Sequence, residues 1–242
     1  MLPSPLFRDR QAAGQELALA VLEEFTRLKT TATELGWPTL AAAHPIVYGL
    51  PRGGLPVAAP IAEKLNCPLD VVIAKKITRP EAPELAIGAV AATGEVLWAQ
   101  SHPGYFHHPK TDRAALQAAL AKAQLQLTQF APVRPPVPLQ GAIAILVDDG
   151  IATGMTIAVA AQSLRQQQLA QIWICAPVAP LELVDWLHQW SDRLILLATP
   201  ADFSSVSRFY QDFPQVELDE ALAHLQNQSS RENPTRIDTY SS

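Results

Sequence analysis

The chain has 242 residues, of which 48% are hydrophobic and 17% are charged. This length and composition indicate a globular protein, either one α/β domain with an appendage or two small domains. The net charge of −5 gives no electrostatic case for binding nucleic acid or an anionic membrane, and no apolar stretch reaches transmembrane length. The N-terminal sequence MLPSPLFRDR lacks the basic region and apolar core of a signal peptide, so a cytoplasmic location is expected.

The first half of the chain is predicted to form a helix followed by strands and a second helix. Asp9 is predicted to cap a helix that runs to about Lys29 with an apolar stripe at intervals of three and four residues. The elements expected next are a strand at 46–50, a turn at 51–54, a helix ending near residue 65, a strand at 69–77, a loop at 78–83, a hairpin of 85–92 with 95–99, an irregular stretch at 101–109 and a helix at 112–130.

The second half begins with a proline-rich connector and then repeats the strand–helix pattern. The elements expected there are a strand at 143–147, a helix after residue 156, a strand at 172–178, a helix at 181–190 and a strand at 194–198. After Pro200 come four close-set aromatic residues, at 203, 209, 210 and 213, which are expected to pack over a site or onto the N-terminal helix.

This alternation of apolar strands and amphipathic helices predicts an α/β fold, a mostly parallel twisted sheet flanked by helices. We expect the core to span residues 1–200, the hairpin insertion at 85–99 included, with a small hood at 201–228 and a disordered tail at 229–242. Ligands bind such sheets at the carboxyl ends of the strands, so the segments 51–54, 75–84 and 148–156 are predicted to converge there.

The sequence VDDGIATGMT, from Val147 to Thr156, carries the clearest chemical signal. Two carboxylates end a buried strand, and a glycine loop then leads into a helix N-terminus. Loop amides and the positive end of a helix dipole bind phosphate, and carboxylates accept hydrogen bonds from ribose hydroxyls or hold a hydrated divalent cation. The predicted ligand-binding residues of this segment are Asp148, Asp149, Gly150, Ile151, Ala152, Thr153, Gly154 and Thr156.

This segment resembles the phosphoribosyl-pyrophosphate (PRPP) motif of the type I phosphoribosyltransferases at every position of the pattern. A buried strand that ends in a solvated turn is the plainer interpretation, but it does not require both acids, both glycines and both threonines in this order. The resemblance implies that the loop binds the 5′-phosphate of PRPP, and that Asp148 and Asp149 hold the ribose hydroxyls and a Mg²⁺ cofactor.

Two further segments resemble the pyrophosphate-handling parts of the same family. The turn Pro51-Arg52-Gly53-Gly54 offers an arginine fork and glycines that let the backbone approach an anion. Lys75 and Lys76 end a predicted strand, where solvated lysines are otherwise common. The resemblance implies catalytic roles for Arg52 and Lys76 on the leaving pyrophosphate, binding roles for Gly53, Gly54 and Lys75, and a closing loop at 78–84.

The resemblance continues through residues 7–14, 83–90 and 203–213, and it points to a bacterial phosphoribosyltransferase-domain family whose acceptor is uncertain. It implies a Mg²⁺-dependent phosphoribosyltransferase that joins PRPP to a nitrogenous base, with no nucleic-acid or membrane partner and with a possible homodimeric state. The alternative is a non-catalytic protein that senses PRPP or a nucleotide on the same fold. A nucleotide hydrolase or kinase is disfavoured because the chain lacks a GxxxxGK[ST] loop.

The remaining candidate residues carry weaker signals. His102, His107 and His108 lack cysteine or acid partners at metal-ligand spacing, so we interpret them as part of a solvated loop. Cys67 and Cys175 show no metal spacing either, and Cys175 is expected to be a small core residue.

Overall fold

The computed structural model describes residues 5–99 and 109–232. A five-stranded parallel sheet lies at its centre, in the spatial order β2-β1-β6-β7-β8, and it confirms the predicted mostly parallel α/β fold. The strands of the molecule are β1 (Pro45–Gly49), β2 (Leu69–Val71), β3 (Ala74–Arg79), β4 (Ala82–Ala91), β5 (Val96–Trp98), β6 (Ile143–Val147), β7 (Gln171–Val178) and β8 (Arg193–Ala198).

Strands β1 and β6 pair so that Gly49 lies opposite Val147. The two strands therefore end level with each other at the carboxyl edge of the sheet. Because the two strands are parallel neighbours, the segment after β1 lies beside the segment after β6.

The helices cover both faces of this sheet. They are α1 (Arg10–Glu34), α2 (Pro38–Ala42), α3 (Gly54–Leu65), α4 (Pro109–Phe130), α5 (Met155–Arg165), α6 (Val184–His188) and α7 (Leu218–Glu232). Helices α1, α3 and α7 pack on one face, and α5 with α6 on the other. Asp9 caps α1 by accepting a hydrogen bond from the Ala12 N–H at 2.7 Å, as predicted, although α1 continues beyond Lys29 to Glu34 because nothing in residues 30–34 breaks it.

The prediction of one strand over residues 69–77 is wrong. β2 ends at Val71, and the chain starts again as β3 at Ala74 in a separate antiparallel sheet of order β3-β4-β5. The link residues Val72 and Ile73 are buried, and the amide of Ala92 donates to the Ile73 carbonyl at 2.9 Å. The link continues the apolar run from Val71 to Ala74 without a glycine, proline or polar residue, so the local sequence pattern does not reveal the change of sheet.

The predicted loop at 78–83 is also wrong, because these residues form two strands and the turn between them. The closing role expected of residues 78–84 stays a prediction. β3 and β4 form a hairpin whose turn is Pro80 and Glu81. The Nε of Arg79 donates to Oδ1 of Asp112 at 2.8 Å, which fixes this hairpin to α4. The hairpin predicted around Thr93 and Gly94 is observed as β4 and β5.

Two other boundaries differ from expectation. The helix predicted over residues 181–190 is a 3₁₀ turn at Leu181–Leu183 followed by the short helix α6, because Pro180 and the tight connection to β8 leave little room. The tail predicted to be disordered from residue 229 is helical as far as Glu232, since α7 continues to that residue. The predictions for residues 101–108, including the three histidines, lie outside the described residues, while Cys67 and Cys175 are buried and neither forms a disulfide bond within the described residues.

No helix within the described ranges is long and apolar enough to cross a membrane.

Candidate functional site

The acidic pair and the glycine loop lie at the carboxyl end of β6, as predicted. Gly154 is the N-cap of α5 and has a φ of 72°, a left-handed conformation that glycine adopts without strain. A Cβ on Gly154 would lie 2.4 Å from Cζ3 of Trp186, so the backbone also packs too closely there for a side chain. Ala152 and Thr153 are exposed, and the loop is therefore open to a ligand.

The turn after β1 packs directly against the acidic pair. A Cβ on Gly53 would lie 2.1 Å from Oδ2 of Asp149, and a Cβ on Gly54 would lie 2.6 Å from the Val147 carbonyl oxygen. The glycines of this turn are thus needed for its approach to the neighbouring loop, a reason that the sequence pattern alone did not supply. The peptide bond between Pro51 and Arg52 is cis.

A cavity of about 290 Å³ lies over the loop, and we call it the phosphate cavity. Its lining comes from residues 148–154, the first turn of α5, Lys76 of β3, and Val206 and Phe213 of the C-terminal segment. Lys76 and the segment 148–156, which are distant in the chain, therefore line one cavity, and the turn at 51–54 contacts the same loop. The predicted convergence is confirmed for 51–54, for Lys76 and for 148–156, but none of the described residues of 78–84 lines the cavity.

Arg52 and Lys75 lie beside the phosphate cavity but are not among its lining residues. Nη1 of Arg52 is 3.6 Å from Oε2 of Glu217, an ion pair whose acid is well exposed. Burial lowers the pKa of the Lys75 ammonium, and the positive charges of Arg52 and Lys122 lower it further. A group of like charges so close together favours an anionic ligand, because an anion relieves their repulsion.

The two carboxylates at the end of β6 are electrostatically strained. Burial raises the pKa of Asp148 well above its usual value, and the charge of Asp149 raises it further. Burial also raises the pKa of Asp149, although a hydrogen bond from Arg10 opposes the shift. The amide of Asp149 donates to Oδ1 of Asp148 at 2.9 Å. Both acids would ionise more readily beside a cation or a set of hydroxyl donors.

Arg10 is the partner of Asp149, and sequence reasoning assigned it no role. Its Nε donates to Oδ2 of Asp149 at 2.7 Å and its Nη1 donates to the Pro214 carbonyl at 2.6 Å. The guanidinium stacks over the Phe213 ring, 3.6 Å from the centroid. A signal was present in the sequence, because Arg10 shares the buried stripe of α1 with Ala13 and a buried charge needs a partner.

Tyr210, one of the aromatic residues expected to pack over a site or onto the N-terminal helix, contacts the loop directly. Its hydroxyl donates to the Asp149 carbonyl at 2.5 Å, and its ring packs against Phe7 and Phe213. The backbone of Phe7 also bridges to Tyr210. The N-terminal and C-terminal segments thus join each other and cover the back of the acidic pair.

The donor set of the acidic pair fits one kind of metal site. Within the described residues there is no group of three or more histidine, cysteine or acid side chains that could hold a metal ion. Hydrogen bonds engage one oxygen of Asp148 and one of Asp149, which leaves one oxygen of each. Mg²⁺ is commonly held by one or two carboxylates together with water and substrate phosphates, so these two side chains could hold it only in company with a phosphorylated ligand.

Comparison with known proteins gives consistent matches over this region. A family model described as phosphoribosyl transferase domain matches residues 39–190. Two Mycobacterium tuberculosis proteins, named "Putative phosphoribosyl transferase Rv0571c" (strain H37Rv) and "Putative phosphoribosyl transferase MT0597" (strain CDC 1551), are each 35% identical over 225 residues. Those matches cover 91% of this chain and 46% of each relative, so the chain spans about half the length of these curated proteins.

A solved structure extends the likeness to three dimensions. The crystal structure of TT1426 from Thermus thermophilus is 31% identical in sequence, with a TM-score of 0.69, and the match covers 92% of this chain and 98% of that one. The family-model match includes the turn at 51–54, the lysine pair and the loop at 148–156, whereas Arg10 and Tyr210 lie outside it.

Proposed function

The chain belongs to the phosphoribosyl transferase domain family, and we propose that it transfers the ribose 5-phosphate group of PRPP to a nitrogenous base and releases pyrophosphate. The observation that carries this proposal is the phosphate cavity of about 290 Å³, which the glycine loop at 148–154 and Lys76 line together. The cytoplasmic location and the homodimeric state of the protein stay predictions.

The loop and the acidic pair bind and orient the sugar. The amides of residues 150–154 and the N-terminus of α5 receive the 5′-phosphate, helped by the hydroxyls of Thr153 and Thr156. Asp148 and Asp149 accept hydrogen bonds from the ribose hydroxyls. With the phosphate and the hydroxyls both held, the anomeric carbon has a fixed position relative to the acceptor.

Lys76 binds the pyrophosphate, and Arg52 and Lys75 lie close enough to extend the positive field. As the bond from the anomeric carbon to the pyrophosphate oxygen breaks, its electron pair leaves with the pyrophosphate, and a nitrogen lone pair of the acceptor forms the new bond. Positive side chains next to the departing oxygen stabilise the charge that develops there. A bound Mg²⁺ would supply further charge neutralisation on the pyrophosphate, with Asp148 and Asp149 as its protein ligands.

Val206 and Phe213 provide the apolar side of the site. They line the phosphate cavity together with Lys76, and apolar side chains there limit the access of water to a reactive sugar cation. The β3–β4 hairpin carries Lys76 on one strand, and the contact of Arg79 with Asp112 fixes the hairpin to α4, so its part in the proposed site is to position Lys76. The closing role that the resemblance implies for residues 78–84 stays a prediction.

The test is a panel of purine, pyrimidine and related bases incubated with PRPP and Mg²⁺, with released pyrophosphate as the readout. We expect release that requires one particular base and Mg²⁺, and that falls at least about a hundredfold in Lys76→Ala because a charge-stabilising donor is lost. Lys64→Ala, which removes a lysine from the far end of α3, is the matched control and should retain activity. Binding of PRPP without pyrophosphate release for any base would favour the sensor alternative.

A further inference from the structure

A second cavity, of about 270 Å³, lies beside the edge strand β2, and we call it the edge cavity. It shares no lining residue with the phosphate cavity. Its walls come from the end of β1, the link between β2 and β3, the turn after β4, α4, the connector at 134–139 and the last turn of α5. None of the functions assigned above uses it.

Tyr48 presents a polar group to this cavity without a protein partner. The residue is 2% exposed and lines the cavity, and within the described residues its hydroxyl makes no hydrogen bond. Burial raises the pKa of this phenol, so it stays neutral and keeps its proton to donate. The Tyr48 hydroxyl oxygen is not one of the fully buried polar atoms that lack a partner, so it is open to the cavity and can donate its proton to a molecule bound there.

The charged groups of the edge cavity neutralise each other. Nε and Nη2 of Arg134 donate to the two carboxylate oxygens of Asp70 at 2.6 and 2.7 Å, and the Val71 amide donates to the same carboxylate at 2.7 Å. Nη1 of Arg134 remains for another acceptor. An ionic ligand would therefore meet no uncompensated opposite charge here, whereas a neutral acceptor would find two donors.

The rest of the wall combines apolar side chains, among them Val72, Leu127 and Leu164, with the polar side chains of Thr93, Ser163 and Gln167. A bound ring would contact the apolar side chains and remove them from water. A cavity of about 150 Å³ holds a benzene ring, so this one has room for one ring with a substituent or two fused rings.

We propose that the edge cavity binds a neutral compound of one or two fused rings, with a hydrogen-bond acceptor directed at the Tyr48 hydroxyl and Nη1 of Arg134. The link Val72–Ile73 forms part of the wall and leads directly to β3, which carries Lys75 and Lys76. The site is thus separate from the phosphate cavity and joined to it through one strand. The proposal does not depend on phosphoribosyl transfer.

The test is titration of the whole protein with benzamide, followed by amide chemical shifts and calorimetry. Benzamide carries a carbonyl acceptor on one neutral ring, and for a ligand of this size we expect a Kd of about 1 mM with the largest shifts at Thr93, Ser163 and Leu164. Toluene has the same ring without the acceptor, and benzoate has the same shape with a negative charge; benzoate should bind more weakly than benzamide.

Two variants make the test specific. Tyr48→Phe removes only the hydroxyl and should weaken the binding of benzamide about fivefold while leaving the binding of toluene unchanged. The variant should fold normally because the hydroxyl has no protein partner to lose. Val137→Phe adds ring volume at the wall and should abolish binding of both compounds. The proposal is overturned if benzamide shows no saturable binding, if its shifts lie elsewhere, or if Tyr48→Phe weakens toluene as much as benzamide.

Discussion

Replacing Arg10 by Met tests whether the N-terminal helix holds the acidic pair in its ionised form. The side chains of Arg10 and Asp149 are only 10% and 16% exposed, and the substitution keeps most of the aliphatic stem. It removes the 2.7 Å ion pair, the hydrogen bond to the Pro214 carbonyl and the stacking on Phe213. Asp149 is then left buried beside Asp148 with no cation of its own.

Breaking a buried ion pair by removing one partner costs about 3–5 kcal/mol, because the other charge stays buried. We expect Arg10→Met to lower the free energy of unfolding at pH 7 by about 3 kcal/mol, the lower end of that range. The loss is at the lower end because Asp149 can take up a proton and so no longer be a buried charge. In an Asp149→Asn background the same change should cost about 1 kcal/mol, from lost stacking and one lost hydrogen bond. The coupling between the two residues is then about 2 kcal/mol.

The assay is urea unfolding of the wild type, both single variants and the double variant, with Arg8→Met as the control. Arg8 is 71% exposed, so its replacement should change stability by less than about 0.5 kcal/mol. The difference in the free energy of unfolding between wild type and Arg10→Met should narrow as the pH falls. The unpaired Asp149 has a still higher folded-state pKa, so its protonation restores part of the stability of the variant. A cost below about 1 kcal/mol, or no coupling, would refute the role given to Arg10.

Three further predictions concern the loop and its surroundings. Gly154→Ala should destabilise the protein by about 3 kcal/mol and Gly141→Ala by only about 1 kcal/mol in thermal unfolding, because both glycines have φ near 72° but only the first faces Trp186; equal losses would contradict this account. Asp148→Asn should raise the free energy of unfolding at pH 7 but not at pH 3, because a carboxyl whose folded-state pKa is raised destabilises the fold once the pH exceeds its unfolded value; a gain that persists at pH 3 would contradict it. Lys76→Ala should weaken pyrophosphate binding about tenfold with a smaller salt dependence in calorimetry, and unchanged binding would remove Lys76 from the site.

The sequence predicted the central βαβ units well, because each carries its own local signals. The motif strand was placed at its observed bounds of 143–147 from a run of β-branched residues between a glycine and two acids. The end of α3 was placed from Asn66, which adopts the left-handed conformation with a φ of 47° and closes the helix. Where the residues that begin and end an element lie next to it in the sequence, the residue pattern is enough to predict its bounds.

The sequence-based predictions were wrong where the structure of a segment depends on contacts between residues that are distant in the chain. The link at Val72 and Ile73 moves the chain from one sheet to another, and only the pairing of Ala74 with Ala91 shows this. The partner of Asp149 lies 139 residues away in Arg10, a distance that no motif spacing can encode. The positions of Lys75 and Lys76 follow from that second sheet; the resemblance singled out Lys76, which lines the cavity, but the sequence pattern did not show the sheet that places it there.

The central claim is that the loop at 148–156 and its two acids bind an activated ribose phosphate. Calorimetric titration of PRPP into the wild type and into the Asp148→Asn, Asp149→Asn double variant, each with and without Mg²⁺, tests it most directly. We expect the wild type to bind PRPP with a Kd of about 1 mM or tighter in the presence of Mg²⁺, and the double variant to show no detectable binding. Equal PRPP affinity in the two proteins would contradict it.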